Sequence, residues 1–165
     1  MGILFDQSFH PQLSVFGNIF QHLMMYGMDK KAARKKTEEY LSLYNLSGVR
    51  KEKTSKLSLG MKQRLALILA LIHEPDIVLL DESDLGMDIV NLNYLMETLK
   101  NLAAKNITII VSSHNISNIV MLSDRVCLLS NGSIKCIEDI KKDNPDTARA
   151  YLENLFIENY SIRGT

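Results

Sequence analysis

The sequence predicts an α/β fold, a partial parallel sheet with helices against it and a helical subdomain ahead of it. Three observations predict this. Ile77 to Leu80 and Ile107 to Val111 are short β-branched or leucine runs bounded by polar residues, as suits strands covered on both faces of a parallel sheet. The stretch between them, Ile89 to Lys105, reads as a crossover helix and gives a βαβ unit with a right-handed connection. From Val15 to Tyr26, by contrast, apolar residues recur at helical spacing, and capped helices are read from Asp29 through Leu43 and from Ser58 to near His73.

Taken in order, Met1 to Gln7 read as the end of a strand entering a loop, Ser8 to Pro11, where proline discourages further pairing. Val15, Ile19, Leu23 and Met24 mark a helix from Val15 to Tyr26. Asp29 is an N-cap for a second helix through Leu43, with Ala32, Ala33, Tyr40 and Leu43 inward. Asn45 to Lys56 is a polar, irregular connection. Ser58 caps a third helix that ends near His73, before Pro75. Its segment Leu65 to Ile72 is apolar on every side, so this helix is predicted to be buried all round. Arg125 to Ser130 and Ser133 to Ile137 flank Asn131-Gly132, a strong hairpin signal. After Pro145, Ala148, Leu152, Leu155 and Phe156 predict a C-terminal helix.

Composition narrows the function. The chain has 165 residues, 46% of them hydrophobic, enough for one compact domain with a sizeable core. Its 19 basic and 19 acidic residues cancel, so no global field attracts nucleic acid or anionic lipid. The densest basic run, Arg34-Lys35-Lys36, reads as a solvated helix face. Leu65 to Ile72 is the longest apolar stretch and is too short to span a bilayer. No signal peptide is visible, and two cysteines, Cys127 and Cys136, suit a reducing compartment and a soluble, intracellular chain. His10, His22 and His73 show no metal-ligand spacing with these cysteines, and no Ser-His-Asp arrangement emerges.

Two places carry chemistry. The helix opening at Ser58 exposes unpaired backbone N–H groups and a partial positive charge, a seat for phosphate. Ser58 adds a hydroxyl, and Gly60 permits close approach to the backbone. An ordinary capped helix explains the same residues. Asp81 and Glu82 stand at the carboxyl end of an apolar strand, the edge where open α/β sheets bind ligands. A carboxylate there can hold Mg²⁺ and a second can activate water, although two solvated acids at a strand end remain an alternative.

Leu57-Ser58-Leu59-Gly60-Met61-Lys62-Gln63-Arg64 followed by Asp76-Ile77-Val78-Leu79-Leu80-Asp81-Glu82, with His114 ending the next strand, resembles the ATP-binding cassette family, the motor ATPases of ABC transporters. The family signature is Leu-Ser-Gly-Gly-Gln ahead of Gln-Arg. Leu57, Ser58, Gly60, Gln63 and Arg64 match it, while Leu59 and Met61 depart in a form similar to the bacterial drug and peptide-antibiotic export branch. The resemblance implies a partial P-loop NTPase-like sheet, with the Walker B and switch-histidine strands, and a helical signature subdomain. It places a helical and signature part at about 8–72, the remainder of the catalytic core at about 75–140 and a C-terminal helix at about 145–165.

Residue by residue, the resemblance assigns Asp81 to Mg²⁺, Glu82 to the catalytic base and His114 to the γ-phosphate. Ser58 and Gly60 become nucleotide contacts, and Gln7 a Q-loop residue sensing Mg²⁺ or the attacking water, in register with Phe9-x-Pro11-x-Leu13-Ser14-Val15-x-x-Asn18-Ile19. Gly86 and Asp88 match the D-loop that crosses to the opposite subunit, and Asp88 serves equally as an N-cap for the next helix. ATP and Mg²⁺ are the implied cofactors. The implied partners are a transmembrane ABC permease, docked by the Gln7 to Gln21 region, and a second ABC ATPase subunit, with no nucleic acid. The implied location is the cytoplasmic face of the membrane, with the chain attached peripherally.

None of the eight glycines is followed directly by lysine, so the Gly-x-x-x-x-Gly-Lys-Ser/Thr phosphate loop is absent from these residues. The chain is therefore expected to be inactive in ATP hydrolysis by itself, since phosphoryl transfer depends on positioning and charge stabilisation that the loop supplies. Three readings follow: a cassette half completed by a second chain, a non-catalytic partner offering its signature in trans to an intact cassette, or an inactive truncation product or start-site error in a longer gene. Nothing in the sequence compensates for the loop, which favours the last.

Overall fold

The structure is a computed structural model and describes residues 1–4, 9–82, 89–130, 132–140 and 144–160. It divides into two units, Met1–Ser112 and Ser113–Thr165. In the first, strand β1 (Gly2–Leu4) leads to helices α1 (Val15–Met25) and α2 (Lys30–Leu43), then α3 (Leu59–Leu71), β2 (Ile77–Asp81), α4 (Ile89–Ala103) and β3 (Thr108–Ser112). The three strands form a parallel sheet in the order β1-β2-β3. Its register sets Gly2 beside Val78 and Asp81 beside Ser112.

Helix α3 is the centre of this unit. Its Ser58 cap accepts a hydrogen bond from the Met61 N–H, and every side chain from Leu65 to Ile72 is buried. Burial of each large apolar side chain contributes about 2 kcal/mol, so this run anchors the surrounding elements. Helix α1 gives Val15, Ile19 and Leu23 to the core from one face, at the spacing the sequence predicts. Met24 lies off that stripe and is exposed. Helix α2, capped by the Asp29 carboxylate on the N–H groups of Lys31 and Ala32, buries Ala33, Thr37 and Leu41. Leu43 does not point inward as the sequence suggests; it is 66% exposed. The stripe runs on to Tyr44, and two residues beyond Leu41 on a helix is the opposite side. Thr37 is tolerated inside because its hydroxyl donates to the Ala33 carbonyl at 2.7 Å.

The connection from Asn45 to Lys56 is more ordered than its polarity suggests. It contains 3₁₀ turns at Ser47–Val49 and Thr54–Lys56, and it buries Leu46 and Thr54 completely. Asn45, Glu74 and Asn106 take the left-handed conformation after α2, α3 and α4, a common way to stop a helix. Strand β2 buries Val78 and Leu80, but β3 buries none of its side chains, and Ile110 is 53% exposed. The expectation that both strands are covered on both faces therefore fails for β3, and β2 meets it on one face only, since Ile77 is exposed. Among the described residues it pairs with β2 alone.

The second unit contains helix α5 (Ile116–Leu122), the antiparallel hairpin β4 (Arg125–Ser130) and β5 (Ser133–Asp139), and helix α6 (Pro145–Tyr160). Gly132, in the hairpin turn, takes φ +72°, where a side chain would be strained. The C-terminal helix follows the sequence expectation. Helix α5 was not foreseen; Asn115 caps it and it packs against α6.

Two consequences can be measured. A Cβ at Gly2 would lie 2.0 Å from the Ala70 carbonyl oxygen, so β1 packs directly on the α3 backbone. Gly2→Ala is expected to cost about 2 kcal/mol through overpacking, read as a lowered midpoint in denaturant unfolding of the 165-residue chain. His22 on α1 lies 6.1 Å from His73 and 5.0 Å from Tyr26, ring centre to ring centre. Burial, then the neighbouring His73, lowers the His22 pKa below its ordinary value of 6.5. Below pH 6.5 the unfolded chain takes up the proton that folded His22 resists, so stability falls as the medium acidifies. His22→Gln is expected to flatten the pH dependence of the melting temperature in this window.

Candidate functional site

The carboxyl end of β2 presents Asp81 and Glu82, both exposed. Their geometry is set by the neighbouring strand. In the parallel register Asp81 stands beside Ser112, whose hydroxyl donates to Asp81 Oδ1. The Glu82 N–H donates to both the Ser112 carbonyl and the Ser112 Oγ, each at 3.1 Å. One serine thus engages the side chain of the first acid and the main chain of the second. Glu82 has φ +43°, in the left-handed region, which costs a residue with a Cβ about 1 kcal/mol. The two hydrogen bonds from its N–H hold it there.

The second candidate place is the start of α3. Ser58 is exposed and forms the N-cap at φ −62°, ψ 162°, with Oγ 3.4 Å from the Met61 nitrogen, a long and weak bond. Leu59, where the resembled signature has glycine, is 50% exposed. Gly60 has a structural reason to be glycine beside the one the sequence suggests. A Cβ there would meet Asn91 Nδ2 at 2.5 Å, because the Asn91 side chain of α4 lies against this turn. The Arg64 guanidinium donates to Asn91 Oδ1 at 2.9 Å and stacks over the Tyr94 ring, 5.3 Å to its centre. The Tyr94 hydroxyl donates to the Leu43 carbonyl at the end of α2. Tyr44 meets Tyr94 edge-on at 6.2 Å, and burial pushes its phenol pKa well above the ordinary range. The signature turn is thus tied through Asn91 to the helix that begins seven residues after Glu82.

Ahead of α1, a third group fixes the loop at Phe9 to Leu13. Buried Asn18 accepts from the His10 N–H at 2.7 Å and donates to the His10 and Ser14 carbonyls, each at 3.1 Å. The buried Thr54 hydroxyl donates to the same His10 carbonyl at 2.8 Å. On the other side of α1, Phe16 stacks on Phe20 at 5.7 Å, with Arg34 and Arg50 over its ring at 6.0 and 5.3 Å.

Of the residues singled out in the sequence, Asp81 and Glu82 share one strand end, and Ser58 and Gly60 share one helix start. His114 follows β3 by two residues and belongs to the second unit. Gln7, Gly86 and Asp88 lie outside the described residues. Among the described residues no three His, Cys, Asp or Glu side chains gather as a dedicated metal cluster would, and no helix is long and apolar enough to cross a membrane. Sequence reasoning missed Ser112, Asn91 and Tyr94, and it named Asn18 only as part of the loop pattern, without its role in holding His10. Only Ser112 had a signal, its position opposite Asp81 once the two strands are aligned in parallel.

The sequence profile of the ABC transporter family matches residues 1–84. The chain belongs to the ABC transporter family. It is similar to the bacitracin transport ATP-binding protein BcrA of Bacillus licheniformis, 35% identical over 147 residues that cover 88% of this chain and 46% of that protein. The linearmycin resistance ATP-binding protein LnrL of Bacillus subtilis is 31% identical over 128 residues, 78% of this chain and 41% of LnrL. Among solved structures, the ADP- and Pi-bound dimer of the ATP-binding cassette MJ0796 superposes with a TM-score of 0.74 at 27% identity, covering 85% of this chain and 62% of that one. An inward-facing ABC transporter shares the fold, with a TM-score of 0.76 at 22% identity over 97% of this chain and 63% of that one. The chain spans about half the length of the relatives it matches.

The contact at the signature turn makes a test. Asn91→Ala removes the bond to Arg64 and is expected to cost about 1.5 kcal/mol. Gly60→Ala is expected to cost a similar amount by displacing the Asn91 amide. In the Asn91→Ala background the same glycine substitution should cost almost nothing, a coupling of about 1.5 kcal/mol in a double-mutant cycle of unfolding free energies.

Proposed function

We propose that this chain is the part of an ABC transporter ATP-binding subunit that carries the water-activating acids and the signature helix. The observation that carries the reading is the adjacent Asp81–Glu82 pair, offered at the carboxyl end of a parallel strand and held from β3. The donor set suits Mg²⁺. With Asp81 Oδ1 engaged by Ser112, the site offers this ion a carboxylate ligand and leaves its other positions to water and phosphate oxygens, as Mg²⁺ prefers. Bound there, Mg²⁺ would neutralise charge on the phosphates. Glu82 orients the attacking water and accepts its proton. Ser58 and Gly60 present the N–H end of α3 to a nucleotide held by the opposite cassette.

His114 takes the γ-phosphate role by its place after β3, donating to charge that develops in the transition state. Gln7 and Asp88 keep their roles, as sensor of Mg²⁺ or water and as inter-subunit contact, by chain position. The partners are a membrane-embedded permease, met by the Gln7 to Gln21 region, and a second ATP-binding subunit; the dimer of MJ0796 supports the latter. The subunit then lies at the inner face of the membrane. The names of the bacitracin transport and linearmycin resistance relatives support a role in antibiotic export. These relatives do not favour a separate regulatory module.

The test uses two polypeptides. The 165-residue chain contains no Gly-rich phosphate loop and is expected to show no detectable ATP turnover by itself. Joined behind the loop-bearing N-terminal segment of a related cassette, it is expected to hydrolyse ATP with Mg²⁺, and Glu82→Gln should lower kcat at least about 100-fold. Equal rates for the two chimeras would reject the assignment of Glu82.

A further inference from the structure

We propose that Ser112 is a positioning residue for the metal end of this site, acting through Asp81 and the Glu82 main chain. The inference rests on the reading of Asp81 as a Mg²⁺ ligand. A serine hydroxyl has one proton to donate and lone pairs to accept with. Here the proton goes to Asp81 Oδ1 and a lone pair receives the Glu82 N–H, while the Ser112 carbonyl receives the same N–H. The donation fixes the rotation of the Asp81 carboxylate and occupies one of its oxygens. The second oxygen is left to take a cation end-on rather than through both oxygens at once. That choice matters for Mg²⁺, which demands near-octahedral geometry and keeps its waters.

The acceptance has a separate effect. Glu82 departs from β2 in a left-handed conformation that residues with a Cβ rarely adopt. Two acceptors on a single residue of β3 hold its N–H and so set the direction in which the Glu82 side chain leaves the sheet. Ser112 can do both because the parallel register puts it beside Asp81 at the last paired position of β2 and β3. Alanine or valine there would keep the carbonyl acceptor and lose the hydroxyl. Threonine would keep both.

The experiment uses the labelled 165-residue chain and Mn²⁺ alone as a paramagnetic probe, with Mg²⁺ added in competition. Broadening of the Glu82 and Ser112 amide signals is followed against Mn²⁺ concentration. Ser112→Val, which has the shape of threonine without its hydroxyl, is expected to raise the broadening midpoint about fivefold. Ser112→Thr should return it to the wild-type value, with both variants melting within a few degrees of each other. A Ser112→Val midpoint equal to that of Ser112→Thr overturns the proposal. Asp81→Asn is the control for the underlying reading. If that substitution leaves the wild-type midpoint unchanged, Asp81 is no metal ligand and the assignment falls together with the inference built on it.

Discussion

The parallel register of β2 against β3 is the constraint on which the site depends. It places Asp81 next to Ser112, and from that adjacency follow the hydroxyl bond to the carboxylate and the pair of acceptors for the Glu82 N–H. A slip of one residue would turn the side chains of β3 to the opposite face and dissolve all of these contacts. The register is secured from one side. Val78 and Leu80 are completely buried in β2, whereas β3 contributes half-buried residues at Ile109 and Val111. The chemistry of the acids is therefore inherited from the apolar content of the strand that precedes them.

Buried polar side chains do a comparable job elsewhere. Asn18 and Thr54 hold the loop before α1 by bonding its main-chain groups, and both are almost wholly enclosed. Enclosed amides and hydroxyls are costly unless bonded, so each such residue specifies one arrangement of its loop. Asn91 does the same at a half-buried position, linking the turn at Gly60 to Arg64. The loop ahead of α1 and the signature turn are regions of the first unit that the proposed function directs at partners, and each of these is braced by an amide.

Much of the fold was legible because burial imposes a period. Val15, Ile19 and Leu23 gave α1, the continuous run Leu65 to Ile72 gave a buried α3, and apolar runs ending in polar residues gave β2 and β3. Capping by Ser14, Asp29, Ser58 and Asn115 obeys local rules, although only two of these were used to place a helix. Helix α5 escaped because seven residues hold barely two turns, too few for a period to register. Leu43 misled because hydrophobicity alone does not say on which side of a stripe a residue falls. In the candidate site, Asp81, Glu82 and Ser58 announced themselves by type and place. Ser112, Asn91 and Tyr94 act across 31, 27 and 51 residues of sequence, and contacts of that range leave no local pattern.

The enclosure of the second half of α3 has a mechanical meaning. A helix gripped on every face from Leu65 to Ile72 has no soft side along which to roll or bend. It behaves as a strut about 20 Å long, with Ser58 at one tip and the Glu74–Asp76 turn into β2 at the other. A push delivered at the serine tip is passed along the rod and arrives at the root of the strand that bears the two acids.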